Sequence, residues 1–222
     1  MPGLGGVLGE RQFERAAQLR RELLALTWLF ATAVGATILL CNRSFIALWV
    51  GPQLYAGWWV NLLIVLVTVQ TALVRSDAFV LDAALQPRAR VIVSAVAALL
   101  VLGVGIALAP SLGMAGVCLG LVAGRAVQSI AYPALVHASL GRALDLPWRS
   151  LMRPVVASVL VLGSATALGE RLLVPGWIAW IGLVVVSFAL LLLATLGMGL
   201  GDSDRRDVIA RMRQIWQGVR GG

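Results

Sequence analysis

Six apolar runs, each close to the length that crosses a bilayer, constrain this chain more than anything else in it. They lie at about 23–41, 57–80, 91–109, 114–136, 151–168 and 176–198. A hydrocarbon core of about 30 Å takes roughly 20 residues of helix. Inside lipid a single run must satisfy its own backbone hydrogen bonds, so each run should be a helix. The expected fold class is therefore all-α, a polytopic membrane bundle of six transmembrane helices. Composition agrees: 60% of the 222 residues are apolar and 13% are charged, about half the charged share of a soluble domain. The gaps hold turn and breaker residues, "GPQ" at 51–53, "QPRAR" at 86–90, "APSLG" at 109–113, "DLPWR" at 145–149 and "VPG" at 174–176. Three regions follow: an arm at 1–22, the bundle at 23–198 and a basic tail at 199–222.

Charge supports the same count independently. All 18 basic residues are arginines, and the net charge is +8. Fourteen fall in the arm, the second gap, the fourth gap with the first turn after it (Arg153) and the tail, against two (Arg43 and Arg171) in the other gaps. Arg75 and Arg125 lie inside spans. The positive-inside rule then places both termini in the cytoplasm. Trp49, Tyr55, Trp58 and Trp59 crowd the first gap, and Trp177 and Trp180 open the last span, as interface anchors do. Basic residues confined between apolar runs, with no nucleic-acid motif, argue against nucleic acid as a partner.

Residues 1–22 show no secretory signal and read as a basic, weakly amphipathic helix on the inner leaflet. The tail repeats the pattern, with Val208, Ile209, Met212, Ile215, Trp216 and Val219 at helical spacing. Cys41 and Cys118 have no metal-ligand spacing and are expected as two buried free thiols.

Polar residues within the spans are the candidate site. At 100° per residue, Asn61, Thr68, Thr71, Arg75 and Asp82 share an arc of roughly 80° on the second span. Asp77 and Gln70 point to the other side. That stripe should face other helices or water, since unpaired polar groups in lipid are costly. Arg125 lies deeper, roughly 16 Å into its span at 1.5 Å per residue. An arginine there costs at least about 2.5–3.5 kcal/mol unless it meets water, a partner or a ligand. Gln128, Ser129 and Tyr132 extend its face, and Gly116, Gly120 and Gly124 form a ridge beside it that admits a neighbouring backbone. Arg125 is either a structural partner of Asp77 or Asp82, or part of a cationic site for an anionic ligand. Nothing points to an enzyme. His137 stands alone, and there is no metal cluster, nucleophile elbow or glycine-rich phosphate loop. No metal or cofactor is implied.

Four segments carry a resemblance. They are "MPGLGGVLGERQFERAAQLRRELLALTW", "FIALWVGPQLYAGWW", "LDAALQPRARVIVSA" and "SLGMAGVCLGLVAG". Their order over residues 1–140 resembles the C-terminal lobe of the polysaccharide flippases, in the multidrug/oligosaccharidyl-lipid/polysaccharide exporter superfamily. Members have about twelve or fourteen helices in two lobes; this chain offers one lobe's worth, and its start resembles the end of a preceding helix. The resemblance implies the C-terminal portion of a flippase of the bacterial inner membrane. It would move polyprenyl-diphosphate-linked oligosaccharide, for O-antigen or exopolysaccharide, by alternating access. Its partners would be the lipid-linked oligosaccharide, the missing N-terminal lobe or a second copy, and polysaccharide assembly proteins. On that view Arg125 and Arg75 supply positive field, Asn61, Thr68 and Gln128 supply polar contacts, and Asp82 or Asp77 pairs with an arginine when the cavity is empty. The alternatives are a drug/cation antiporter of the same superfamily and a non-transporting scaffold of a polysaccharide assembly complex.

Overall fold

A computed structural model describes residues 13–83, 87–140 and 148–199. Six long helices account for almost all of them: α1 (Phe13–Trp49), α2 (Trp58–Ala83), α3 (Pro87–Leu112), α4 (Met114–Leu140), α5 (Trp148–Gly169) and α6 (Trp177–Gly199). All six are long and apolar enough to cross a membrane. Five begin and end within a few residues of the runs read from the sequence.

α1 is the exception. It has 37 residues, about 55 Å at 1.5 Å per residue, against a core of about 30 Å. From Phe13 on, the residues expected to form a separate surface arm are instead the first turns of this helix. They are held there by packing. Ala16 and Ala17 are buried in a cluster with Val74, Ala78 and Leu81 of α2 and Tyr132 and Val136 of α4. Residues 1–12 and the tail's apolar stripe lie outside the described residues.

α1 packs on α2, α5 and α6, while α4 packs on α2 and α3. The helices thus form a row α3–α4–α2–α1, with α5 and α6 packed on α1 and α5 reaching α2 as well. A central core of Ala36, Leu39, Val65, Val69, Val161, Leu162 and Ala165 joins α1, α2 and α5. Because α3 returns between them, α2 and α4 run parallel. Leu63 clusters with Cys118 near their starts, and Val74 and Ala78 cluster with Tyr132 and Val136 near their ends.

The α3–α4 connection shows why the glycines stand where they do. Gly113 takes φ +57° between the two helices, a left-handed conformation that costs glycine nothing. Beyond it the helices run backbone to backbone. A Cβ on Gly120 would lie 2.8 Å from both Gly105 N and Val101 O. The outer faces of the row are apolar: Leu99 and Ile106 of α3 are 70% and 71% exposed, and Ile178 of α6 is 89% exposed. In water such faces would drive association; for a bundle of membrane-spanning helices they are its contact with lipid.

Candidate functional site

The α1–α2 seam carries three polar pairs. Asn42 Nδ2 donates to Asn61 Oδ1 at 2.9 Å, and Thr27 and Ser76 hydroxyls bond at 3.0 Å. Arg20 meets Asp77 with Nε and Nη2 both on Oδ1, at 2.7 and 2.6 Å. Both side chains are almost wholly buried, at 4% and 7% exposed. At this burial each neutralises the other, since a lone charge there would be costly. Arg20 lies in the segment read as a surface arm and was not singled out from the sequence. The available signal was Asp77 itself, which sits off the polar stripe of α2 and needs a cation.

Asp82 is also taken. It pairs with Arg90 of α3, beside the Ser94–Tyr132 hydroxyl bond of 2.9 Å. Arg125 therefore has neither of the acids offered as its structural partners. It is half-buried on α4, and its Nη1 donates to Gln128 Oε1 at 2.7 Å. Among the described residues no carboxylate lies within ion-pair distance of it. Gln128 is buried, at 8% exposed. At the matching depth of α2, Gln70 Oε1 is buried without a hydrogen-bond partner. Helical phase puts Gln70 on the α2 side shared with Leu63 and Val74, which pack on α4. Arg125, about midway along α4, thus has a neutral amide as its hydrogen-bond partner, and α2 carries a second buried amide, Gln70, on the side that packs on α4.

The structure does not keep the five-residue stripe of α2 together. Asn61 is buried against α1, whereas Thr68, Arg75 and Asp82 are exposed. Asn61 sits at the edge of the arc, where a small rotation turns it into the seam. Thr68 and Thr71 hydroxyls donate to their own helix, at Ile64 O and Val67 O (2.9 and 2.7 Å). That bond satisfies a threonine even in lipid. Arg75 is on the open flank of the bundle with no acidic partner among the described residues.

A second polar cluster occupies the tryptophan-rich end. α1 runs past the expected end of its span, so Arg43 reaches the α5–α6 connection. Arg43 Nη1 donates to the Glu170 carbonyl oxygen and lies 3.7 Å from the Glu170 carboxylate. Tyr55 OH donates to Glu170 Oε1 at 2.6 Å. Ser44 ties the same connection down, donating to Leu172 O and accepting from Val174 N. These groups border a cavity of about 190 Å³, walled also by Ala47, Pro52, Gly57, Trp58 and Leu173. Burial, and then the hydrogen bond to Glu170, push the Tyr55 phenol well above its ordinary range, so it stays a donor.

Cys41 and Cys118 are free and buried. Among the described residues, no three His, Cys, Asp or Glu side chains gather where they could hold a metal. Among the described residues the open polar features are thus the half-buried cation at Arg125, Arg75 on the open flank of α2 and the cavity beside Arg43. No protein-family model, curated protein or solved structure matches the chain.

Proposed function

We propose that this chain forms one lobe of a flippase that carries polyprenyl-diphosphate-linked oligosaccharide across the membrane, the C-terminal lobe on the resemblance of its first 140 residues. The observation that carries this reading is Arg125. It is a permanent charge about midway along a membrane helix, held by Gln128, with Asp77 and Asp82 engaged elsewhere. Such a charge is best compensated by an anion that comes and goes, and a diphosphate is one. Arg75 and Thr68 are exposed on neighbouring α2, a flank open to a second lobe, either the N-terminal half of the same transporter or another copy. Closing that flank would enclose a cationic space, and lobes rocking about it would give alternating access. Polysaccharide assembly proteins of the bacterial inner membrane would receive the product. A drug/cation antiporter is less well served, because it needs a free carboxylate within the membrane-spanning helices to take up a cation, and Asp77 and Asp82 are paired with Arg20 and Arg90.

The test is Arg125→Ala beside Arg125→Lys in the native host. Surface polysaccharide and the pool of lipid-linked oligosaccharide are measured together with membrane levels of the protein. Arg125→Ala should cut export at least tenfold and raise the lipid-linked pool at unchanged protein level, with partial recovery in Arg125→Lys. Normal polysaccharide output from Arg125→Ala would overturn the proposal.

A further inference from the structure

We propose that the cavity beside Arg43 and Glu170 holds the headgroup of a phosphatidylethanolamine-type phospholipid, a phosphodiester bearing a primary ammonium. The inference is independent of the transport reading, since it concerns a different end of the bundle and a different ligand.

Position comes first. Trp49, Trp58 and Trp177 are 65%, 49% and 45% exposed at this end. Exposed tryptophans at the ends of membrane helices lie at the headgroup level. The cavity is walled by Trp58 itself, so it opens where headgroups are and where their local concentration is permanently high.

Chemistry comes second. Arg43 and Glu170 are each about one-third exposed, and their closest charged atoms are 3.7 Å apart, too far for a direct hydrogen bond. Each therefore keeps capacity for a ligand. Guanidinium has five N–H donors, and Arg43 spends Nη1 on the Glu170 carbonyl. Glu170 accepts from Tyr55 on Oε1, and among the described residues nothing hydrogen-bonds its Oε2. A zwitterion completes the arrangement: its phosphate accepts from Arg43, and its ammonium donates to Glu170 Oε2. Four charges then alternate in sign, and the net charge of the site does not change. An anionic lipid would leave Glu170 facing a like charge. A quaternary ammonium would give Glu170 no N–H to accept.

Size comes third. The cavity of about 190 Å³ opens to its surroundings and is far above the roughly 10–15 Å³ that holds one water, so a phosphoethanolamine group fits in it. Ala47, Trp58 and Leu173 give an apolar rim on which glycerol and the first acyl carbons can lie.

The experiment uses the full chain purified in mixed micelles with equimolar phosphatidylethanolamine, its N-monomethyl and N,N-dimethyl forms, phosphatidylcholine and phosphatidylglycerol. Retained lipid is quantified by native mass spectrometry. Phosphatidylethanolamine should be retained at least fivefold over phosphatidylcholine and phosphatidylglycerol, falling stepwise as methyl groups replace N–H donors. Glu170→Gln, which keeps an acceptor for Tyr55, should abolish that preference. A flat methylation series in the unaltered protein would overturn the proposal, whatever the variant does. So would an unchanged preference in Glu170→Gln, or displacement of phosphatidylethanolamine by a soluble monosaccharide.

Discussion

At the scale of single residues, the Arg20–Asp77 pair sets the cost of disturbing the bundle. Removing one member of a buried pair leaves the other charged and unpaired, typically at about 3–5 kcal/mol, whereas replacing both with apolar groups of similar size is often nearly neutral. Asp77→Ala should therefore destabilise the protein by about that amount, and Arg20→Met with Asp77→Leu should recover most of it. Reversible unfolding in mixed micelles reads both. A loss below about 1 kcal/mol in Asp77→Ala would mean that Arg20 finds water, contrary to its 4% exposure. Tyr55 gives a second residue-level outcome. Its phenol is held protonated above the usual range of 10 by burial and by Glu170. A raised folded-state value favours the protonated form, so this contribution to stability is complete below pH 10 and is lost as pH climbs from there toward the raised value. The chain has two tyrosines, so Tyr132→Phe isolates Tyr55. Its phenolate absorbance should be absent at pH 10.5 and appear only on further titration; half-ionisation near pH 10 would show that the phenol is neither desolvated nor bonded to Glu170 as placed here.

At the scale of elements, the glycine ridge and the length of α1 differ in what the sequence could tell. Gly116, Gly120 and Gly124 could be recognised because small residues four apart leave a groove whatever partner fills it; the partner, α3, follows from the short turn at Gly113. The consequence is a contrast in sign. Gly120→Ala places a Cβ within 2.8 Å of α3 backbone and should cost about 1–3 kcal/mol, as overpacking does. Gly103→Ala on α3 meets nothing within 4 Å and should gain up to about 1 kcal/mol from helix propensity. Thermal unfolding of the two variants side by side decides it; equal effects would mean α3 and α4 are not in contact along the ridge. The length of α1 was not legible. Asn42 and Arg43 look like the polar end of a span, and Arg20 like part of a surface arm. All three are helical because Asn61, the Glu170 carbonyl and Asp77 satisfy them, and those partners lie 19, 127 and 57 residues away. Local pattern holds no trace of contacts at such separations.

At the scale of the whole molecule, six spans were legible because hydropathy and arginine placement are set by the membrane and need no tertiary contact. The site was only half legible for the converse reason. Arg125 declares itself by depth, but whether it is spoken for depends on which acids other arginines take, and that depends on the packing order α3–α4–α2–α1. The same order puts every connection seen at the tryptophan-rich end opposite the arginine-bearing starts of α1 and α3. The charge bias then makes a directional prediction. With Cys41 and Cys118 replaced by serine, Gln53→Cys should react in intact cells with a maleimide that cannot cross the plasma membrane. Arg88→Cys should react only after lysis. Both positions are exposed at opposite ends of the bundle, so accessibility reports sidedness and not burial. The reverse pattern would place the Arg43–Glu170 cavity, and the lipid proposed for it, in the cytoplasmic leaflet. It would also put the Arg90–Asp82 end on the outside, against the sidedness on which the proposed transport reading rests.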